Sequence, residues 1–413
     1  MLFMGATETY RYLAQKPPKF LIGFLTKTKP PPPLPAGDVA PLIVPKGFVA
    51  TIYSRNVPGA RVMTRDQSGT MLVSLTSSGK IVALMDSTTD GVALPPITIL
   101  ENLKQPHGIS VRGTLASTTN STAATTTTTA VVVDQGCTLY VAETGVLKSY
   151  AYDSRAHTAT YLATLTTFPT GEGHFTRTLL MHPDNKHLLI SIGSDCNVCD
   201  ETDPKRASII AYNLETGEES IYAKGLRNSV FMATRPKTEE IWATENGRDV
   251  IGDDIPPDEV NIIKEGRYYG WPICYGNNVH DTDFDKQRYI VDPCLSFEPA
   301  HIELAAHSAA LGLAFVPSDG WPKEYADDLL IAYHGSWNRS IPTGYKVVRY
   351  DLDAEGKVNN SQPYDFITGF LAPQAPTGDS LGRPVGLLAE PNGVVFVSDD
   401  RAGAIYRVAW QDK

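Results

Sequence analysis

Short runs of β-branched and aromatic residues, four to six long, alternate along this chain with tight polar turns. One unit recurs six times: a β-rich run, a polar turn, and a second β-rich run ending near an aromatic or aliphatic residue. The first runs are Met71-Leu-Val-Ser-Leu, Leu139-Tyr-Val-Ala-Glu, Leu188-Leu-Ile-Ser-Ile, Ile241-Trp-Ala-Thr-Glu, Leu329-Leu-Ile-Ala-Tyr and Val394-Val-Phe-Val-Ser. The second runs start at Lys80, Val146, Ser208, Glu259, Tyr345 and Ala404. Five of the pairs follow another strand closed by a Pro, Asp or Gly turn, as in Leu313-Ala-Phe-Val-Pro-Ser-Asp-Gly. Helical periodicity is almost absent.

Six copies of a three- to four-strand unit predict an all-β, six-bladed β-propeller, one copy to a blade. Their spacing is too uneven for a solenoid and fits a ring with long loops on one face. Gly47-Phe-Val-Ala-Thr-Ile-Tyr53 has no partner in its own repeat. It is expected to complete the last blade, closing the ring and leaving no free sheet edge. Residues 46–413 form the propeller domain in this reading. Residues 1–45, with Pro30-Pro-Pro-Pro-Leu-Pro35, form an extended proline-rich lead-in. Ser117–Ala130 is a low-complexity threonine-rich loop.

Composition narrows the partners. With 42% hydrophobic residues among 413, the chain can bury a large core. Lysine and arginine total 36 against 46 acidic residues, a net charge of −10, which argues against nucleic-acid or anionic-membrane partners. No apolar run reaches the ~18 residues that a membrane span requires. Phe20-Leu-Ile-Gly-Phe-Leu25 is too short for a signal-peptide core and follows Lys16 and Lys19.

Of five cysteines, Cys196-Asn-Val-Cys199 and the Cys274/Cys294 pair can form two disulfides, leaving Cys137 alone. The C-x-x-C remains open to a redox role or half a zinc site, although neither a βαβ context nor further zinc ligands accompany it. Disulfides favour an oxidising, secreted setting. Sequons at Asn120 and Asn359 are compatible with secretion.

In a propeller the entrance to each innermost strand faces the axis. The residues at that register are Arg61, His107, His174 with Arg177, Arg227 with Asn228, His307, and Arg383. The chain has only nine histidines, and three fall here. An acidic protein that gathers arginine and histidine at one channel mouth is suited to an anion, since arginine binds carboxylate or phosphate bidentately. Satisfied surface charges on loops are the plainer alternative. A second cluster, Thr244 to Asn261, carries Asp249, Asp253, Asp254 and Asp258, oxygen donors suited to calcium although not at EF-hand spacing. A polar loop would look the same. Next to cationic groups, a neutral His174 is suited to accept a proton near neutral pH. The segment His334-Gly-Ser-Trp-Asn-Arg to Lys346 combines donors, a stacking Trp337 and a lysine that can cover an aromatic cofactor and bind its acidic edge. No dinucleotide fingerprint, P-loop or Gly-x-Ser-x-Gly elbow is present.

Gly173-His-Phe-Thr-Arg-Thr-Leu, Gly225-Leu-Arg-Asn-Ser, Thr244-Glu-Asn-Gly, Asp258-Glu-Val-Asn-Ile-Ile, Tyr269-Gly-Trp-Pro, His334-Gly-Ser-Trp-Asn-Arg and Gly382-Arg-Pro-Val-Gly form a joint pattern. From about Gly47 to the C-terminus the chain resembles the superfamily of soluble glucose and L-sorbosone dehydrogenases that use pyrroloquinoline quinone (PQQ). It is most similar to the fungal PQQ-dependent pyranose dehydrogenases.

The resemblance implies a quinoprotein that oxidises sugars by hydride transfer to PQQ, with calcium as the second cofactor. It implies His174 as base, with Arg227 and Asn228 polarising the quinone carbonyl. It implies calcium on the backbone carbonyls of Gly247 and Arg248, with Asp249 beside them. The glucose dehydrogenases have proline at the second position, so Arg248 is a departure. Lys346, Arg383 and Arg401 would face the cofactor carboxylates. Arg177, His334 and Asn338 would complete the cofactor site, and Trp337 or Tyr345 would stack. Electrons would pass to a separate acceptor, a cytochrome domain or protein.

Two other classes share the architecture. A calcium-dependent lactonase needs several carboxylate and amide side chains around an axial metal, whereas the register here is cationic. A non-catalytic binding propeller need not converge on one base.

Overall fold

The second strand of each repeat is mainly apolar and buried because both faces of its small sheet are covered by neighbouring sheets. Met71–Leu75, Ile241–Glu245 and Leu329–Tyr333 are buried at every position. At the rim, Thr158–Thr167 is mostly exposed. The computed structural model describes Leu34 and residues 40–86, 91–113, 137–372 and 380–411. The threonine-rich loop, the sequon at Asn120 and nearly all of the lead-in, including Phe20–Leu25, lie outside the described residues.

Six sheets, each built on four antiparallel strands and one of them extended by a fifth, form the six blades of a propeller. From the axis outward, blade 1 is Ala60–Arg65, Met71–Leu75, Lys80–Leu84 and Ile97–Leu100. Blade 2 is Ile109–Arg112, Cys137–Glu143, Val146–Asp153 and Thr158–Thr167. Blade 3 is Leu179–Met181, His187–Ile192, Ser208–Asn213 and Glu219–Lys224. Blade 4 is Met232–Thr234, Ile241–Glu245, Asp258–Ile263 and Ile302–Leu304. Blade 5 is Ala310–Phe315, Leu329–Tyr333, Lys346–Tyr350 and Tyr364–Ile367. In blade 6, Pro384–Glu390, Val394–Asp399 and Ala404–Trp410 are completed by Phe48–Ser54, paired antiparallel from Phe48↔Trp410. The N-terminal run therefore closes the ring, as expected, and all six repeats have an inner strand.

A hydroxyl at one register of the repeat ties inner to second strands. Ser74 Oγ accepts from Val62 N–H at 3.1 Å and Ser398 Oγ from Gly386 N–H at 2.8 Å, where the inner-strand register shifts. Ser191 Oγ accepts from Thr178 N–H at 3.3 Å. Ser398 Oγ also donates to Arg61 O at 2.7 Å, linking blade 6 to blade 1. These bonds satisfy backbone groups left unpaired where the ladder is interrupted.

Blade 4 carries an excursion between Ile263 and Ile302. Arg267–Tyr268 within it adds a parallel fifth strand to blade 3, and Cys274–Tyr275 pairs with Val279–His280. Cys274–Cys294 pins this excursion and Cys196–Cys199 pins the loop after the second strand of blade 3. Both sequence-suggested pairs are thus disulfides. Cys137 is buried outside them, its Sγ 3.3 Å from Gln67 Oε1. Among the described residues no helix is long and apolar enough to cross a membrane.

Candidate active site

The segments that lead into the inner strands converge on a cavity of about 360 Å³ at the axis. His174 sits at the entrance to blade 3, Arg227 and Asn228 before blade 4, His307 before blade 5, and Arg383 before blade 6; Arg61 lies within the first strand of blade 1. All six line the cavity.

His174 is fixed at one ring nitrogen. Its Nδ1 lies 2.9 Å from Ser194 O and 3.2 Å from Ser194 Oγ, whose own proton goes to Cys196 O at 2.7 Å. The carbonyl can only accept, so Nδ1 carries the proton and Nε2 keeps its lone pair. Burial, then the charge of Arg227 and those of Arg177 and Arg206, pushes the imidazole down to about 3; the Ser194 carbonyl opposes them. At neutral pH it is a neutral acceptor.

Arg227 is held by four hydrogen bonds. Nε donates to Asn197 O at 2.8 Å and Nη1 to Asn246 O at 3.1 Å, while Nη2 donates to Asn197 Oδ1 at 2.9 Å and Asp249 Oδ2 at 3.0 Å. Asn228 N–H donates to Glu245 Oε1 at 2.6 Å, and Ser229 Oγ to Glu245 Oε2 at 2.6 Å. Burial raises Glu245 to about 8, against those two donors.

Asp249 also accepts from Asn338 Nδ2 at 2.9 Å. The Asn338 amide is oriented by its nitrogen, which faces both Asp249 and His307 Nδ1 (3.4 Å). Asp258 lies beneath, accepting from Gly247 N–H at 3.0 Å and Ser308 Oγ at 3.1 Å, and is raised to about 6 by burial. Gly247 and Asp249 line the cavity.

A further part of the wall is cationic. Asp400 takes His334 Nε2–H at 2.9 Å and Arg61 Nη1 at 2.6 Å. Arg383 Nε donates to His334 O at 3.0 Å and its Nη2 to Gly335 O. Burial and the Arg383 charge push His334 down to about 4, while the neighbouring cations hold Asp400 well below the carboxylate range despite its burial. Trp337, 46% exposed, stands on the same wall.

Not every residue selected from the sequence reaches the cavity. Arg177 is fully buried and donates to the carbonyls of His174 (2.9 Å), Thr176 (2.7 Å) and Pro169 (2.9 Å), bracing the loop that carries His174. Lys346 bonds Asp365 at 2.6 Å on the neighbouring strand, and Arg401 Nε bonds Ser380 O at 2.7 Å; neither lines the cavity. Tyr345 is buried beneath Gly335, its hydroxyl on Ser336 O. The Arg248 side chain turns to Asp281 (3.1 Å) and Asp283 (3.7 Å) in the blade 4 excursion. Asp253 and Asp254 engage Ser340 and Arg339 outside the cavity lining. Sequence reasoning passed over Asn197, Glu245 and Asp400. For Asn197 the signal was its place inside the C-x-x-C.

The donor set suits an anionic, chelating ligand with a cation. Asn228 Oδ1 and Asn338 Oδ1 are buried acceptors without a hydrogen-bond partner, as is the Arg61 Nε donor. The unpaired Asn338 Oδ1, whose amide nitrogen bonds the Asp249 carboxylate, calls for a cation or a donor, and the arginines call for carboxylates.

The sequence profile of TrAA12-like proteins matches residues 42–411. This chain belongs to the TrAA12-like family. An uncharacterized protein of Borreliella burgdorferi is 32% identical over 374 residues, 90% of this TrAA12-like chain and 91% of that protein. The pyrroloquinoline quinone-dependent pyranose dehydrogenase of Coprinopsis cinerea is 24% identical over 427 residues, 88% of this chain; the match spans 54% of that enzyme, about half its length. Among solved structures, the Trichoderma reesei AA12 enzyme superposes with a TM-score of 0.72 at 22% identity, covering 90% of this chain and 98% of its own. The PQQ domain of the Coprinopsis pyranose dehydrogenase gives 0.70 at 21%, covering 91% and 98%. Soluble aldose sugar dehydrogenase of Escherichia coli gives 0.61 at 16%, covering 88% and 100%. The resemblance read from the sequence motifs is borne out in family and fold.

Proposed function

We propose that this TrAA12-like protein is a quinoprotein oxidoreductase that oxidises sugars, whether aldoses, pyranoses or osones. One observation carries the reading: a neutral histidine, fixed at Nδ1, shares a cavity wall with the immobilised Arg227 guanidinium and with the Arg61–Asp400–His334 cluster. The family and its sugar-dehydrogenase relatives support it.

PQQ is a planar tricarboxylate, and Arg61, His334 and Arg383 would hold its carboxylates while Trp337 covers a ring face. Calcium would sit on the carbonyls of Gly247 and Arg248 beside Asp249, with Asn338 Oδ1 available to the bound pair. When bound, the quinone supplies a two-electron hydride acceptor and the calcium polarises it. His174 Nε2 would take the proton of the sugar hydroxyl on the carbon that is oxidised. Arg227 and Asn228 present fixed dipoles and charge to the oxygen on which negative charge builds, at no reorganisation cost. Arg177 keeps the His174 loop in place.

Electrons would leave to a separate acceptor, a cytochrome domain or protein. Two disulfides support a secreted location. The reading is tested by reconstituting the protein with PQQ and calcium and following sugar-dependent reduction of a dye. Activity that needs both additions supports it, and none with any aldose, pyranose or osone overturns it.

A further inference from the structure

The base, the arginine and the aspartate of the site are all held by one short segment, Ser194 to Cys199. Ser194 O takes His174 Nδ1–H, and Ser194 N–H reaches back to Arg227 O at 2.7 Å. Three residues on, Asn197 accepts two of the four hydrogen bonds that Arg227 makes, one on its carbonyl and one on Oδ1. The same Oδ1 accepts Asp249 N–H at 2.7 Å, and Asn197 Nδ2 donates to Asp249 O at 3.0 Å. Asn197 is therefore bonded to both ends of the Arg227–Asp249 ion pair, which spans 3.0 Å, without itself lining the cavity. Cys196 and Cys199 close a four-residue ring around it, with Cys196 buried beside Trp271. A backbone so constrained holds an amide in one place at little further entropic cost.

We propose that Asn197, framed by the Cys196–Cys199 disulfide, is a positioning residue for Arg227 and Asp249. The inference rests on the sugar-oxidising role proposed above. Asn197 fixes which way the guanidinium faces and where the Asp249 backbone lies; the disulfide serves the site by holding Asn197.

Asn197→Ala and Asn197→Leu, which keeps the branched shape and covers failure of the truncation to fold, remove every side-chain bond. Asn197→Asp keeps an acceptor for Arg227 and Asp249 N–H and loses the donor to Asp249 O. With PQQ and calcium, kcat is expected to fall roughly 30- to 100-fold in the Ala and Leu variants, with KM for sugar within about threefold, and to fall less in Asn197→Asp. A second readout needs no cofactor. The His174 imidazole, followed by NMR in metal-free protein, should titrate at higher pH in Asn197→Ala, because the loosened Arg227 depresses it less while Arg177 and Arg206 remain. The titration is compared only where far-UV circular dichroism shows both proteins folded, because acid unfolding would by itself raise it. If the parent binds no quinone, the proposed function fails while the titration still decides the positioning. A kcat within about twofold of parent in the Ala or Leu variant, an Asp variant as impaired as the Ala variant, or an unmoved His174 titration would overturn the inference.

Discussion

His174 and Asn228 close on the same bare α-carbon, that of Gly193: a β-carbon there would lie 2.7 Å from His174 Cβ and 2.6 Å from Asn228 Oδ1. The proposed base and the residue that places the reacting carbon are thus set by one absent side chain. Gly193→Ala should displace both, and a misplacement of about 1 Å costs on the order of a hundredfold in rate. Steady-state kinetics should show kcat falling by that order, with the melting temperature moving by only a few degrees.

His174→Ala should still bind PQQ and lose turnover by roughly 10²- to 10⁴-fold, the usual contribution of a positioned base. Quinone titration and turnover on the same sample separate the two. Turnover within tenfold of parent would remove His174 as base.

The acid limb of kcat/KM should lie far below that of an ordinary histidine, because burial and Arg227 push His174 down to about 3. Turnover should hold between pH 7 and about 5. Stability should not. His174 and His334, the latter lowered to about 4, stay neutral in the folded state where the unfolded chain takes up protons below the ordinary histidine value. The unfolded state binds more protons in that window, so both groups lower stability as pH falls from about 6.5 toward 4. Denaturant melts across this range, repeated on His334→Gln, should show a shallower fall in the variant.

Arg383→Ala should weaken quinone binding by about 1.5–3 kcal/mol, the worth of a hydrogen bond to a charged group, or roughly ten- to a hundredfold. Lys346→Ala should leave it unchanged, since that lysine is bonded to Asp365 outside the cavity lining. Equal losses would return Lys346 to the site.

The two disulfides should divide by role. Cys274 and Cys294 are 20 residues apart, and serine at both should cost about 3 kcal/mol of stability while sparing kcat. The Cys196–Cys199 bridge, only three residues apart, closes too small a loop to matter as much for the unfolded chain, so serine at both should act on kcat first. Paired denaturant melts and turnover measurements decide it.

The blades were legible because each second strand is sheltered on both faces and so reads as a mainly apolar β-run, from Met71–Leu75 to Val394–Asp399. The closing strand was legible because Phe48–Ser54 had nothing local to pair with. The axis register located His174, Arg227, Asn228 and Arg383, since entry to an inner strand fixes position without reference to partners. The Lys346 side chain meets Asp365 outside the cavity lining, a direction that a motif, which gives only chain order, does not carry. Asn197 and Asp400 escaped notice because the groups they hold lie 30 and 66 residues away in sequence. The Arg248 departure became intelligible only with the blade 4 excursion, whose Asp281 and Asp283 receive the guanidinium.

The most direct measurement adds PQQ and calcium to metal-free protein, records the absorption spectrum, and then adds glucose, fucose or a glucosone. Stoichiometric binding followed by sugar-dependent bleaching to the reduced quinol is the expected result. Absence of quinone binding at micromolar concentration would contradict the account.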